Sequence, residues 1–260
     1  MMITLTTDFG LQDSFVGLVK GVIVGINPAA TVVDLTHGIP AQDIVGGALT
    51  LRHSIGYFPR GTIHVAVIDP GVGGARRPLL IECDGSYLIG PDNGLLSLAV
   101  GDKNPGLVVE LSNPAYHLRP TSATFHGRDV FAPVAAHLSL GVPITAFGPR
   151  LDTFHRLALP KVYRTASEKA GEIIYIDGFG NLFTNIEEND LKGLAANQIE
   201  ITLGAIRITG LAPNYAATNV GHFVAVVNSW GLLEIAVCQG NAQQQSGAKI
   251  GDQVRVISTS

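Results

Sequence analysis

Long apolar runs, paired cysteines, basic clusters and the common metal and nucleotide signatures are all missing from this 260-residue sequence, and each absence removes a class of function. Only 15% of the residues are charged and the net charge is −4. No stretch of Lys and Arg interleaved with aromatics stands out, which argues against nucleic acid as a partner. No apolar run approaches the ~18–20 residues that cross a bilayer, so no membrane span is expected. The opening MMITLTTDFG has neither the charged n-region nor the cleavage site of a secretory signal, and the chain is expected in the cytoplasm. Cys83 and Cys238 are far apart, each inside an apolar, strand-like segment. Two buried free thiols fit that placement better than a disulfide or a metal site. HExxH, CxxC and GxxxxGK[ST] do not occur, and no internal repeat is visible. What is abundant is core material: 46% of the residues are hydrophobic, enough for one large domain or two modest ones.

The chain is organised around residues 62–77, TIHVAVIDPGVGGARR. Residues 63–68 form a continuous, β-branched apolar run that reads as a buried strand. Asp69 follows at its C-terminal end, where open α/β sheets bind their ligands. Pro70 then fixes φ, and Gly71, Gly73 and Gly74 allow backbone to approach a bound molecule closely. Arg76 lies seven residues after Asp69, within reach of it across a folded loop. A plain structural ion pair is the competing reading of that pair.

Upstream, residues 3–7 read as a strand ending at Asp8. Asp13 or Ser14 can cap a helix whose apolar positions are Phe15, Leu18, Val19, Val22, Ile23 and Ile26. Asn27-Pro28 ends it. Residues 31–35 form a second strand, and Ile44, Ala48, Leu51 and Ile55 mark a second helix. This β-α-β-α-β order predicts a mainly parallel central sheet with helices on its faces. Downstream, Asp84-Gly85 predicts a tight hairpin. A short helix from Leu95, a strand over residues 108–111 and a helix from about Val130 follow. Beyond about residue 164 the pattern changes to seven short strands separated by Gly, Asn and Pro, near residues 172–177, 182–186, 199–203, 205–209, 222–228, 232–237 and 254–257, which predicts an all-β, barrel-like fold. The expected fold is therefore an N-terminal α/β domain over residues 1–155 and a C-terminal β-barrel domain over 165–260, joined through 149–164.

Three kinds of chemistry fit the residues at the strand ends. Asp8, Asp69 and the His126–Asp129 loop could hold a metal for phosphoester hydrolysis, although no close pair of histidines at ligand spacing is present. The Gly-rich loop could cradle a phosphate, but no helix pattern begins directly after it. Asp69, Arg76 and His126 could orient and deprotonate a water molecule.

TTDFG, VIDPGVGG-x-RR, GPDNG, TFHGRD, DGFGN and NSWGLLEIAV…GNA, in that order and across essentially the whole chain, resemble the S-adenosylmethionine hydroxide adenosyltransferases. These are the hydrolytic relatives of the 5′-fluoro- and 5′-chloroadenosine synthases. The resemblance implies hydrolysis of S-adenosylmethionine to adenosine and L-methionine without metal or other cofactor. It also implies a homotrimer with active sites at the subunit interfaces. The family's catalytic set falls on Asp69, Arg76 and His126. Asp8 matches the group that grips the ribose hydroxyls, a task suited to an acceptor-only carboxylate. Ser14 and Asp177 match groups on the methionine ammonium, Asn181 the reader of the adenine edge, Phe179 and Tyr215 the rings that sandwich the base, and Ser229 a contact to the methionine carboxylate. Where the halogenases place an arginine next, this chain has Trp230.

The residue types suit that reaction. A sulfonium is already a good leaving group, and the missing ingredient is a nucleophile at the ribose 5′ carbon. An arginine stabilises developing hydroxide, and aspartate and histidine orient the water and take or relay its proton. Which of Asp69 and His126 takes the proton stays open. The rivals are a halide-using adenosyltransferase and a non-catalytic adenosine or S-adenosylmethionine binder. The halogenases carry an extra loop after the central motif and lack the Asp and His, whereas here Asp84-Gly85 joins its strands directly and both residues are kept.

Overall fold

The computed structural model describes residues 1–195 and 198–258. The chain divides into two compact units, Met1–Leu157 and Ala158–Ser260.

Unit 1 begins as the apolar periodicity dictates. β1 (Met2–Thr7), α1 (Phe15–Ile26), β2 (Thr31–Thr36), α2 (Ile44–Ser54) and β3 (Ile63–Val67) alternate without interruption. Ser14 stands at the N-cap of α1 but its hydroxyl makes no capping bond, whereas Asp43 caps α2 by accepting from Gly46 N. β4 (Pro78–Cys83) and β5 (Ser86–Pro91) form the hairpin. Asp84 (φ 53°) and Gly85 (φ 76°) at its tip both take the left-handed conformation that a tight two-residue turn demands. α3 (Ser97–Val100), β6 (Val108–Glu110) and α4 (Ala132–Ser139) complete the unit. The sheet order is β2-β1-β3-β5-β4-β6. β2, β1, β3 and β5 are parallel, and β4 alone opposes the rest, because it is antiparallel to both β5 and β6.

The core lies between this sheet and the α1/α4 pair, around Ile3, Leu5, Val65, Ile89, Phe131 and Val134. α2 and α3 pack against each other, and Ile68 and Leu95 close so tightly on Gly47 of α2 that a side chain there would meet Ile68 Cδ1 at 2.8 Å. On β1 and β3, Thr4 and His64 sit opposite each other in register, both 0% exposed, with Thr4 Oγ1 and His64 Nδ1 2.8 Å apart.

Residues after α4 stay attached to unit 1: His155 N donates to Asp92 Oδ1 (2.7 Å) and Leu157 N to Ser97 Oγ (3.0 Å). In unit 2, β7 (Tyr163–Arg164) pairs with β8 (Glu168–Ile176). β9 (Leu182–Glu187), α5 (Glu188–Leu191), β10 (Ile199–Leu203), β11 (Ile206–Thr209), β12 (Phe223–Val227), β13 (Leu232–Val237), α6 (Ala242–Ser246) and β14 (Gln253–Ser258) follow. All pairings are antiparallel, in the order β11-β10-β14-β8-β9-β13-β12. The end strands β11 and β12 come into contact, so the sheet curls into a barrel-like form around Ile173, Leu182, Ile201, Ile235, Val254 and Val256. Cys83 and Cys238 are buried free thiols. Among the described residues no helix is long and apolar enough to cross a membrane.

Candidate active site

Parallel strands release their carboxyl ends on one edge of the sheet. Thr7 of β1 is in register with Val67 of β3, so Asp8 and Asp69 leave neighbouring strands on the same side. They line a cavity of about 360 Å³ together with Phe9, Gln42, Phe125 and His126. Asp8 is oriented by the loop between β2 and α2, since Gln42 N donates to its Oδ2 at 2.8 Å.

Arg76 folds back over the seven-residue loop to bind Asp69 through both ends of its fork: Nε donates to Oδ1 (2.9 Å) and Nη2 to Oδ2 (2.5 Å). The same Nη2 lies 2.8 Å from His126 Nδ1. An arginine can only donate, so Nδ1 accepts and the neutral ring carries its proton on Nε2. Burial, and then the Arg76 charge, push the His126 pKa below its ordinary value against the opposing pull of Asp69 and Asp129, which favours that neutral form. The side chains of Asp69 and Arg76 are 5% and 9% exposed, so this pair is far less screened than a surface ion pair.

The motifs around the trio hold it in place. Asn93 of GPDNG donates to the carbonyl of Ile68, the residue before Asp69 (2.9 Å). Arg77 pairs with Asp92 of the same motif. Gly73 (φ 74°) lets the 69–77 loop lie against the next one: a Cβ there would stand 2.1 Å from the carbonyl oxygen of Ala123. His126 precedes a π-helical turn, Gly127–Phe131, rather than an α-helix starting near Val130; such turns recur at functional sites. A side chain at Gly127 would come within 3.2 Å of Phe9 and 3.3 Å of Phe125, the rings that edge the cavity. Asp129 is buried and accepts from Arg128 and from Ser122 N, so it closes its loop instead of facing the cavity. Ser14 is exposed and is not part of the cavity lining.

The remaining sequence-derived residues lie in unit 2. Asp177 builds the DGFGN turn: Oδ1 accepts from Phe179 N and Asn181 N (both 2.9 Å), and Oδ2 from Asn181 Nδ2 (3.1 Å). Gly180 (φ 83°) is pressed against Asn241, with 2.2 Å available where a Cβ would stand. The result is a rigid turn that presents Phe179 79% exposed. Tyr215 starts a 3₁₀ turn capped by Asn214 and is 45% exposed. Ser229 is exposed in the β12–β13 turn, and Trp230 beside it packs on Tyr175 (5.1 Å) and Phe183 (5.0 Å). Gln42, Asn93 and the Phe9/Phe125 edge were not singled out from the sequence. Nothing marks a backbone donor such as Gln42 N before the fold is known, whereas GPDNG carried a visible signal with no role attached. Among the described residues no three His, Cys, Asp or Glu side chains group as a metal-holding set.

Comparison with known proteins agrees on both units. Residues 3–148 match the family described as SAM hydroxide adenosyltransferase N-terminal domain, and residues 171–255 match SAM hydroxide adenosyltransferase C-terminal domain. The chain is 37% identical over 259 residues to the (R)-S-adenosyl-L-methionine hydrolase of Salinispora tropica, covering 98% of this chain and 97% of that one. It is 29% identical over 268 residues to the fluorinase of an Actinoplanes species, covering 90% of each. Among solved structures, an uncharacterized conserved protein from Thermotoga maritima superimposes with a TM-score of 0.92 at 32% identity, over 99% of this chain and 100% of that chain.

Proposed function

The chain belongs to the S-adenosylmethionine hydroxide adenosyltransferase family, and from that membership and the site's geometry we infer that it hydrolyses S-adenosylmethionine to adenosine and L-methionine. The single observation that carries the chemistry is the hydrogen-bonded, partly buried Asp69–Arg76–His126 trio at the carboxyl edge of β3.

A water molecule in the cavity meets a carboxylate whose oxygens each keep an acceptor site after binding Arg76. His126 holds Arg76 through Nδ1, so its Nε2–H is left to orient the water as a donor, and Asp69 takes the proton. Arg76 stabilises the developing hydroxide. The oxygen forms its bond to C5′ as the C–S bond breaks, and the bonding pair leaves on sulfur as the methionine thioether. Alignment of water, carbon and sulfur supplies much of the remaining gain. Asp8 binds the ribose diol. A halide needs no proton acceptor and is repelled by a buried carboxylate, so the trio favours water over halide. Positive charge is already present on Arg76 and on the sulfonium, and the reaction as proposed calls on no metal or other cofactor.

Unit 2 supplies the nucleoside and amino-acid contacts in this reading: Phe179 and Tyr215 stack on adenine, Asn181 reads its edge, and Asp177, Ser229 and Ser14 of unit 1 hold the methionine end. We assign the two halves of each site to different subunits of a homotrimer, and the chain to the cytoplasm, a compartment suited to two free thiols.

The test is turnover in ¹⁸O-labelled water. Label is expected at the 5′ oxygen of adenosine, because water attacks carbon. Unlabelled adenosine, or 5′-chloroadenosine as the main product in chloride buffer, would overturn the assignment.

A further inference from the structure

His37 follows directly on β2 and has no part in the chemistry described so far, yet its side chain is only 3% exposed. Its Nδ1 stands 2.8 Å from Oγ1 of Thr7, the buried last residue of β1. Whichever of the two atoms donates, the hydroxyl keeps a lone pair, and Phe9 N donates to it at 3.2 Å. The backbone of His37 makes a second tie to the same segment, its carbonyl accepting from Gly10 N at 2.8 Å. Asp8 lies between these ties. The loop that starts at His37 runs on to Gln42, whose N–H donates to Asp8 Oδ2 (2.8 Å). Gln42 has φ 67°, a left-handed conformation uncommon for a residue other than glycine. Such a conformation persists only where its surroundings impose it. On the far side of the ring, Nε2 lies 3.0 Å from Asp34 Oδ1, an ion-pair distance without hydrogen-bond alignment. Neither Thr7 nor His37 lines the cavity that Asp8 and Phe9 edge.

We propose that His37 is a positioning residue for ribose recognition, which fixes the end of β1 so that the Asp8 carboxylate meets the sugar diol. This rests on the reading of Asp8 as the group that binds the diol. Among the described residues, Gln42 N is the one hydrogen-bond partner of the Asp8 carboxylate. A side chain held so lightly depends on its backbone for its place, and His37 fixes that backbone on both sides, through Thr7 and through Gly10. Ordering the segment beforehand spares that cost when the nucleoside binds. His37 thus acts through Asp8 and touches no substrate itself.

The test is calorimetric titration of the full-length protein with adenosine and with 2′,3′-dideoxyadenosine, which lacks both ribose hydroxyls. Wild type should bind adenosine at least ~10-fold more tightly, the size expected of hydrogen bonds to a charged group. Asp8→Ala should abolish that preference. His37→Ala should weaken adenosine binding about fivefold and leave dideoxyadenosine binding unchanged, because the loss is confined to the bonds with the diol. Thr7→Val, which keeps the side-chain shape and removes the hydroxyl, should act in the same direction. His37→Asn, which can place a polar atom near the Nδ1 position, should restore most of the preference. Equal weakening of both nucleosides, or an intact preference in folded His37→Ala, would overturn the proposal. Should His37→Ala not fold, Thr7→Val carries the same comparison, and an intact preference there would overturn the proposal equally. The reading of Asp8 fails separately, if wild type shows no preference or Asp8→Ala retains it.

Discussion

His64 lies in β3, five residues before Asp69, and should make the stability of the fold depend on pH. It is 0% exposed, its Nδ1 is 2.8 Å from Thr4 Oγ1, and among the described residues its Nε2 has no partner. Burial lowers its pKa from 6.5 to about 4. The unfolded chain therefore binds a proton below about pH 6.5, whereas the folded chain resists until about pH 4, and in that window the unfolded state holds more protons. Stability from this residue is complete above pH 6.5 and is lost as pH falls toward 4. Each pH unit crossed inside the window removes ~1.36 kcal/mol, so the loss reaches about 2 kcal/mol by pH 5 and about 3 kcal/mol by pH 4. His64→Gln keeps a polar partner for Thr4 and does not titrate. Urea unfolding of both proteins at fixed protein concentration, in steps from about pH 7.5 to about pH 5, should show the wild-type curve falling toward that of the variant by about 2 kcal/mol. The difference isolates His64, because His53, also lowered to about 4, is common to both proteins. Stability curves that stay parallel across the range would refute the assignment of His64 as a buried neutral ring.

Alanine at Asp69, Arg76 or His126 should lower kcat by ~10²–10⁴, more than it weakens adenosine binding, whereas Asp8→Ala should act mainly on binding. Arg76→Ala should in addition lose ~3–5 kcal/mol of stability by denaturant titration, because it strands a buried carboxylate; His126→Ala should not. Gly73→Ala places a methyl group 2.1 Å from the Ala123 carbonyl oxygen, so it should lower kcat at least as much as His126→Ala does while the substrate still binds, and unchanged turnover would exclude contact between the two loops. Activity should survive EDTA and desalting, with no gain on adding back a divalent metal. Mixing His126→Ala with Asn181→Ala protein under subunit exchange should raise activity above both parents; no rise would place each site within a single chain.

Much of the fold was legible because it rests on short-range rules. The β-branched run before Asp69, the 3.6-residue spacing in α1 and the Asp-Gly turn each specify their element locally, and the closely spaced strands of unit 2 read correctly for the same reason. The position of β4 between β5 and β6 could not be read this way, since hydrophobic pattern specifies a strand but not its neighbour. The π-helical turn at Gly127–Phe131 was hidden because Val130 and Phe131 also fit an α-helical start. Within the site, Asp69 and Arg76 were linked by spacing alone, while His126, 50 residues beyond Arg76, joined them as one of three open readings of the strand ends that the resemblance then singled out. Glu234 was visible throughout as a lone acid in LLEIAV, but only the barrel shows that this side chain is fully buried.

The fork of Arg76 holds one anion and one neutral ring, so the resting trio is electrically balanced: −1 on Asp69, +1 on Arg76 and none on His126. The substrate brings a sulfonium that is lost in the reaction, and the proposed mechanism returns the same charge to the enzyme as a proton on Asp69. Chemistry therefore relocates a positive charge within the pocket and leaves its total unchanged, which keeps the electrostatic cost of the step low. It also leaves the enzyme in a different state from the one that began. In the proposed mechanism each turnover ends with a protonated acid that must discharge to solvent before the next water can be activated, so that cycle closes on deprotonation and product departure together.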